Sequence, residues 1–406
     1  MPSNINSKPT KTRRRSALLP KLLFGAMLGL SLFVIMANLN YRDSSLLIDS
    51  SSLLASFEQS SSFYSNASLF DLLSSPSAGV ELNYRKYTET AVICSVAKYE
   101  ENYIDEWADY HLALGFAKLY IYDNSPDFDL QQWALLRKQR GHPIHIEHFP
   151  VKNTPHIKAV QKCHKRALKE KHTWGAFIDL DEFLVLKQHN HVVPFLQEYC
   201  AHGSVLVHWI IMGKADREVY QPQPVTKRFR YREPQYPNRH IKGISRLSDI
   251  KLINHAHFQR LKEGFARRTT SGQIYAGADN KKIKPGENTD VALLYHYGFK
   301  SHKEYLNKRL RGRAGEANER EQYNKLIRHA LRRGGPRGDV RDDTVWNALK
   351  RLVPAYQVYD VLFPENDHAF PPKVKFDKYD EQTWKLQMML DFAPGTPKKN
   401  QTAVKK

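Results

Sequence analysis

Residues 91–123 read AVICSVAKYEENYIDEWADYHLALGFAKLYIYD, a stretch in which two apolar strand-like runs flank a helical pattern. The run AVICSVAK (91–98) is apolar and rich in β-branched residues, which is typical of a buried strand. The pattern YIDEWADYHLAL (103–114) predicts a helix that ends at Gly115, and KLYIYD (118–123) predicts a second strand. A strand, a helix and a strand in about thirty residues are typical of the βαβ unit of a parallel sheet.

The same alternation continues along the chain. It predicts a helix, a strand and a helix at 129–140, 143–149 and 157–172, and then a strand that runs into a loop at 174–186. We therefore expect an α/β domain whose parallel sheet carries helices on both faces. Ligands of such sheets bind at the carboxyl ends of the strands, so the polar residues there are candidate site residues. They are Lys98, Glu100, Asp123, Asn124, Asp179 and Asp181.

An acidic cluster, Asp179-Leu180-Asp181-Glu182, follows the apolar run WGAFI of the fourth predicted strand. Alternate side chains of an extended segment point the same way, so we expect Asp179 and Asp181 to present two carboxylates together. Carboxylate oxygens suit hard cations such as Mg²⁺ or Mn²⁺, which bind one or two acidic residues together with substrate phosphates. A solvated acidic turn at a strand end is the alternative interpretation.

The N-terminal segment has the composition of a membrane anchor. Residues 1–17 are basic, and an uncharged apolar run follows from Leu22 to Ala37. With its flanking residues this run reaches about 20 residues, which is long enough to span a bilayer. We predict an uncleaved transmembrane signal-anchor at 18–39. A cleaved signal peptide is the alternative, but the run does not end in a small-residue site of the A-x-A kind. Basic residues before the span predict a single-pass type II membrane protein with a cytoplasmic N-terminus.

The segments outside the predicted domain look exposed. Residues 40–88 are rich in serine, which is typical of a flexible stem. Glycosylation sequons begin at Asn66 and Asn400, on the non-cytoplasmic side of the predicted anchor, so we expect a glycoprotein. We assign residues 89–395 to the folded domain and 396–406 to a basic tail.

Composition excludes several classes of protein. The chain has 406 residues, 41% of them hydrophobic, which is enough for a sizeable core and too much for a disordered chain. Its three cysteines include no Cys-x-x-Cys pair, so a disulfide scaffold and a zinc site of that spacing are excluded. In the oxidising compartment that the anchor implies, a bridge between Cys163 and Cys200 is compatible with the sequence but is not required by it, and we expect Cys94 to be a free thiol in the first strand.

Positive charge is concentrated in residues 300–341, and the formal net charge of the chain is +20. Charge alone would allow nucleic-acid binding. The segment has no aromatic-interleaved binding motif, however, and the predicted anchor places it away from nucleic acid. Attraction to an anionic acceptor glycan or to a membrane surface is one interpretation, and a solvated helical face is the other.

Four blocks of the sequence resemble glycosyltransferase family 92 and the related bacterial family 2-like glycosyltransferases. The first, residues 94–127, is similar to a family motif that reads roughly Cys-x-x-x-Lys-Asn-Glu, Glu-Trp-x-x-Tyr-His, Leu-Gly and Tyr-Asp-Asn-x-Ser. The others follow in the family's order: WGAFIDLDEFLVL (174–186), RHIKGISRLSDIKLINHAHF (239–258) and LLYHYGFKSHKEYLNKRLRG (293–312). Tyr99 stands where the family usually has Asn, and residues 208–220 match the family only loosely.

The resemblance implies a GT-A fold, in which a nucleotide-binding parallel sheet is continuous with a mixed acceptor-binding half. It implies a metal-dependent, inverting transfer of a hexose, with galactose as the first choice, from a UDP-sugar to a glycan or polysaccharide acceptor. The implied cofactor is Mn²⁺ or Mg²⁺. Its expected protein ligands are Asp179, Asp181 and His296. The residues expected to bind the nucleotide-sugar are Lys98, Glu100, Asp123, Asn124 and Lys300.

An inverting transfer also needs a general base within hydrogen-bond reach of the acceptor hydroxyl. Three acidic residues are candidates, namely Asp216, Glu218 and Glu182. We favour Asp216, because Glu182 follows the acidic pair directly and can instead orient a metal ligand.

Other activities and locations are compatible with the same residues. One is a metal-dependent transferase that moves a sugar phosphate or a nucleotidyl group. Another is a non-catalytic glycan-binding protein on a degenerate transferase scaffold. The predicted anchor would lie in the Golgi of a eukaryote or in the inner membrane of a bacterium.

Overall fold

Ten strands of the described residues form one mixed β-sheet. A computed structural model describes residues 87–215, 220–221, 223–234, 237–275, 290–310 and 338–364. The strands are β1 (Ala91–Ala97), β2 (Lys118–Asp123), β3 (Ile144–His148), β4 (Trp174–Ala176), β5 (Glu182–Leu186), β6 (Ser204–Ile211), β7 (Tyr231–Arg232), β8 (Ile241–Arg246), β9 (Ile250–Leu252), β10 (Arg260–Leu261), β11 (Arg267–Thr269), β12 (Ile274–Tyr275), β13 (Ala292–His296) and β14 (Val340–Arg341). The helices are α1 (Ile104–Ala113), α2 (Gln131–Gln139), α3 (Pro155–Lys169), α4 (Val192–Tyr199), α5 (Val225–Arg228), α6 (His302–Leu310), α7 (Thr344–Leu352) and α8 (Val358–Leu362).

One half of the large sheet is parallel and the other half is mixed. Strands β4, β1, β2 and β3 lie side by side in parallel. Strand β8 is antiparallel to both β4 and β6, and β13 runs parallel to β6 but antiparallel to β5. The predicted α/β class is confirmed. Because β13, like β6, runs parallel to β4, the end of β13 and the connection from β4 to β5 lie at the edge of the sheet that holds the carboxyl ends of the parallel strands.

Residues 174–186, predicted as a strand that runs into a loop, contain a second strand after the loop. The structure divides this segment into β4 and β5, and the acidic cluster lies in a turn between them. The Glu182 N–H donates to the Asp179 carbonyl at 3.0 Å, and Glu182 Oε2 accepts from the Asp179 N–H at 2.9 Å. Because these two bonds close the chain on itself, Asp179 and Asp181 are not alternate residues of an extended strand.

Alternate residues of β1 pack on opposite sides of the sheet. Ile93 belongs to the larger core cluster, together with Trp107 of α1. Cys94 belongs to a second cluster, together with Cys163 of α3. Helices thus cover both faces of the parallel half, as the strand and helix alternation predicts.

The cysteine pairing corrects the expectation from the sequence. Cys94 and Cys163 form a disulfide, with their Cα atoms 5.9 Å apart. Cys200 is a buried free thiol whose Sγ lies 3.3 Å from the Ile244 carbonyl oxygen, and burial raises its pKa to about 12. Cys163 therefore does not pair with Cys200, and the expectation of a free Cys94 is wrong because Cys94 points to the sheet face that α3 covers.

The segments on either side of the domain lie beyond what the structure describes. The predicted anchor at 18–39, most of the stem at 40–88 and the basic tail at 396–406 are outside the described residues. Among the helices that are described, none is long and apolar enough to cross a membrane.

Candidate active site

Asp179 and Asp181 each lie between a lysine and a histidine at the turn after β4. Asp179 accepts from Lys242 Nζ through Oδ2 at 2.9 Å, and its Oδ1 lies 3.2 Å from His156 Nε2. Asp181 pairs with Lys308 through Oδ2, and its Oδ1 lies 3.6 Å from His296 Nε2.

The strand pairing explains why His296 and Lys242 reach this turn. His296 is the last residue of β13 and pairs with Glu182, which directly follows Asp181. The Tyr297 N–H continues this pairing, since it donates to the Asp181 carbonyl at 2.8 Å. Lys242 lies in β8, the antiparallel neighbour of β4, so it approaches the turn from the mixed half of the sheet.

The lysines and histidines keep both aspartates ionised. Burial alone would raise the pKa of Asp181, but Lys308 and His296 hold it well below its ordinary value. Burial opposes ionisation of Asp179 in the same way, and Lys242 and His156 lower the pKa of that carboxyl. Asp179 retains 37% side-chain exposure, so a ligand can reach it from solvent.

Glu182 and Lys242 lie at the buried end of the site. Their side chains are 0% and 1% exposed, and Lys242 Nζ lies 3.5 Å from Glu182 Oε2. Burial, together with Asp179 and Asp181, raises the pKa of Glu182 well above its ordinary value despite the nearby ammonium. The pKa of Lys242 is raised, because Asp179 and Glu182 outweigh its own burial. Lys242 is therefore a fixed cation that both acids share.

Asp181 and His296 have the spacing of two neighbouring ligands of one divalent cation. Their facing oxygen and nitrogen are 3.6 Å apart, which is too far for a hydrogen bond and suits two neighbouring ligands of one ion. The His296 Nδ1 is buried and has no hydrogen-bond partner in the described part of the chain. No group of three or more His, Cys, Asp or Glu in those same residues is arranged for a metal ion, so Asp179 does not complete a ligand set there. One or two carboxylates together with substrate phosphates are a common arrangement for Mg²⁺, and Asp181 supplies one carboxylate here.

Lys300 lies against the start of α1. Its side chain is 5% exposed, its Nζ lies 3.8 Å from the centre of the Tyr103 ring, and Glu100 Oε2 is 4.0 Å away. Burial lowers the pKa of Lys300, and the positive charge of Lys308 adds to the effect. Two predicted donor-binding residues, Glu100 and Lys300, are thus brought together beside Asp181.

An ion pair fixes the helix that carries Lys308. Glu304 of α6 accepts two hydrogen bonds from the Arg228 guanidinium, at 2.8 and 2.9 Å, and also one from the Tyr103 hydroxyl at 2.9 Å. Both members of the ion pair are buried. This contact joins α5, α6 and the start of α1, and so it holds Lys300 and Lys308 at the site.

The polar residues after β2 have local partners. Asp123 is buried and accepts from the backbone N–H groups of Ser125 at 2.9 Å and Leu130 at 3.1 Å. Asn124 donates to the carbonyls of Phe149 and Val151 at 2.7 and 3.0 Å. Both residues therefore shape the loops at this edge, whereas Lys98 is half-buried at the end of β1. Their predicted contacts with a nucleotide stay predictions.

Of the three candidate general bases, only Glu182 lies in the part of the chain that the structure describes. Glu182 is fully buried and faces the Asp179 N–H and Lys242, which leaves it no path to an acceptor hydroxyl in this arrangement. Asp216 and Glu218 lie outside the described residues.

Sequence reasoning missed three residues of this site, namely His156, Lys242 and Lys308. A signal for Lys242 was present, because it lies between the apolar residues Ile241 and Gly243 in the strand IKGISR, and a lysine buried there needs a carboxylate partner. His156 and Lys308 lie on helices among other polar residues, and no local pattern distinguishes them.

Comparisons with known proteins show which family the sequence is similar to. Residues 90–270 match the model of Glycosyltransferase family 92. A Glycosyltransferase family 92 protein of Arabidopsis thaliana is 29% identical over 185 residues, which cover 42% of this chain and 32% of that protein. One from Oryza sativa subsp. japonica is 26% identical over 187 residues, which cover 45% of this chain and 31% of the relative. The matches thus span about a third of the length of these relatives.

Solved structures add little to this assignment. S. aureus TarS is 17% identical, with a TM-score of 0.27, and the match covers 77% of this chain and 50% of TarS. The family model and the plant relatives support a glycosyltransferase. The resemblance in the sequence motifs is confirmed, since residues 90–270 match the family model.

Proposed function

We propose that this protein transfers a hexose from a UDP-sugar to a glycan or polysaccharide acceptor, with inversion at the anomeric carbon and with UDP-galactose as the first donor to test. The observation that carries the proposal is the gap between Asp181 and His296, flanked by Lys308 and Lys300. It combines ligands for one divalent cation with ammonium groups that suit a diphosphate.

Asp181 and His296 would hold the cation, Mn²⁺ or Mg²⁺, together with oxygens of the donor diphosphate. When bound there, the cation would neutralise the negative charge that develops on the departing nucleoside diphosphate. Lys308 pairs with Asp181 in the structure, and its ammonium would turn to a phosphate oxygen once the donor is present. Lys300 would supply a second positive charge from the side of α1.

Lys242 and His156 keep Asp179 ionised and fixed at the mouth of the site. Asp179 is thereby positioned to accept hydrogen bonds from the hydroxyls of the donor sugar. Glu182 takes no part in proton transfer in this account. Its role is to close the turn and to share Lys242 with Asp179.

A donor screen tests the proposal. The purified full chain would be incubated with UDP-galactose, UDP-glucose and UDP-N-acetylglucosamine in the presence of Mn²⁺, and the nucleotide products would be identified. Release of UDP with one donor is the expected result. Release of UMP or pyrophosphate would instead show sugar-phosphate or nucleotidyl transfer, and tight donor binding with no product would show a degenerate scaffold.

The proposed location rests on the sequence alone. We propose that residues 18–39 anchor the protein as a type II membrane protein of the Golgi, or of the inner membrane if the source is a bacterium. Protease added outside sealed vesicles should then spare everything after about residue 40. Digestion of the domain under these conditions would overturn the orientation.

A further inference from the structure

Four aromatic rings lie side by side next to the metal-ligand pair. We call Trp209, His240, His257 and His296 the ring wall. The centre of the Trp209 ring lies 4.3 Å from that of His296, 5.1 Å from that of His240 and 5.3 Å from that of His257. His240 is nearly parallel to Trp209, with an interplanar angle of 21°. None of the proposed donor contacts uses the first three of these rings.

Strand register places the ring wall on the face of the sheet that carries the site. Trp209 pairs with Leu294 and Ile211 with His296, so Trp209 and His296 project from the same face of neighbouring parallel strands. Lys242 pairs with Val207, which is two residues before Trp209, and so it also lies on that face. The wall therefore continues directly from Lys242 and His296.

The wall combines apolar ring surface with polar ring edges. Each of its four residues is half-buried, so part of each side chain remains open to solvent. Trp209 Nε1 is a buried donor that has no hydrogen-bond partner in the described part of the chain. The His257 Nδ1–H donates to the Ile241 carbonyl at 2.8 Å, which leaves its Nε2 with a lone pair. Burial and the charge of Lys242 lower the pKa of His257 to about 3, so this ring stays neutral near pH 7.

We infer that the ring wall is the acceptor subsite and that it binds a neutral pyranose. The C–H face of a pyranose ring packs against aromatic rings, and its hydroxyls can accept from Trp209 Nε1 and donate to His257 Nε2. The inference rests on the proposed function, since it places the acceptor sugar beside the donor site at Asp181 and His296. It favours a neutral acceptor over an anionic one, because the wall is built from Trp and His rather than from Lys or Arg.

Saturation-transfer NMR on the full chain tests the inference. The probes are methyl β-D-galactopyranoside and its uronate, each added with UDP and Mn²⁺. We expect saturation of the neutral sugar in the wild type, at least tenfold weaker binding in Trp209→Leu and His257→Gln, and less than a threefold change in UDP affinity. Trp133→Leu on α2 is the matched control and should bind the sugar as the wild type does. Melting temperatures show whether each variant folds. If one does not fold, Trp209→Phe and His240→Gln are measured instead.

The outcomes separate the inference from the proposed function. Wild-type protein that does not bind UDP would refute the donor site and with it the proposed function. Protein that binds UDP but gives no saturation of either sugar would overturn the ring wall as an acceptor subsite. Folded variants of the wall that bind the neutral sugar as tightly as the wild type would also overturn the ring wall as an acceptor subsite. Tighter binding of the uronate than of the neutral sugar would overturn the neutral acceptor.

Discussion

Lys242 Nζ lies 2.9 Å from Asp179 Oδ2, although Lys242 belongs to β8 and Asp179 to the turn after β4. This contact joins the mixed half of the sheet to the acidic turn. The ammonium is almost fully buried, so its charge is compensated by the acids around it rather than by water.

Lys242→Met should destabilise the fold strongly, because it leaves Glu182 buried beside Asp179 with no cation. We expect a loss of about 3 kcal/mol in the free energy of unfolding, measured by urea titration. Lys162→Met removes a half-exposed ion pair with Glu147 and should cost less than about 1 kcal/mol. Equal losses in the two variants would show that the buried ion pair contributes no more to the free energy of unfolding than the half-exposed one.

The disulfide gives a second prediction. Peptide mapping without reduction should find Cys94 linked to Cys163 and Cys200 as a free thiol. Because the bridge closes a loop with a sequence separation of 69, Cys163→Ala should lower the free energy of unfolding by about 4 kcal/mol. Cys200→Ser is the control for loss of a buried thiol without loss of a bridge. A peptide that links Cys163 to Cys200 would refute the pairing.

Tyr99 supplies a third prediction, since its backbone is in the left-handed region at φ = 53°. The N–H of Tyr99 donates to Ser125 Oγ at 3.0 Å, and any residue at this position can keep that bond. Asn tolerates the left-handed conformation better than Tyr does, so Tyr99→Asn should raise the free energy of unfolding by about 0.5 to 1 kcal/mol. Tyr99→Phe keeps the strain and should change little. If Tyr99→Asn is no more stable than Tyr99→Phe, the strain does not limit stability.

The sequence predicted the parallel half of the fold well and the acidic turn poorly. Strands β1 and β2 are short runs of mainly apolar and aromatic residues, β3 alternates isoleucine with polar residues, and helices lie between them. Such local patterns fix both the type and the position of an element. The turn at Asp179 depends on two hydrogen bonds of Glu182 that no local pattern indicates.

Some residues of the candidate site were also predictable from local motifs, and others were not. Asp181 and His296 belong to recognisable motifs, and the structure brings them together. His156 and the Cys94–Cys163 pairing depend on how α3 packs on the sheet, which is a property of the tertiary structure. The family's usual Asn at the position of Tyr99 also acquires a physical reason, because the backbone there is left-handed.

His111 predicts how stability depends on pH. It is fully buried, its Nδ1–H donates to the Trp107 carbonyl at 2.8 Å, and burial lowers its pKa to about 3. Between pH 6.5 and 3 the unfolded chain binds a proton at this residue that the folded chain does not, so stability falls as the pH falls. His111→Gln should reduce the slope of unfolding free energy against pH by up to about 1.4 kcal/mol per pH unit, measured by urea titration from pH 7 to 5. An unchanged slope would mean that His111 titrates normally in the folded protein.

Asp181 and His296 are proposed to bind the cation needed for transfer from a UDP-sugar. The most direct measurement is UDP release from the donor that the screen identifies, by the purified full chain with Mn²⁺, after addition of EDTA and after Mn²⁺ is restored. Asp181→Asn is compared with Asp290→Asn, whose side chain is 80% exposed. We predict that EDTA abolishes release, that Mn²⁺ restores it, and that Asp181→Asn loses at least about a hundredfold of the rate while Asp290→Asn keeps it. Full release in EDTA, or a wild-type rate for Asp181→Asn, would contradict the claim.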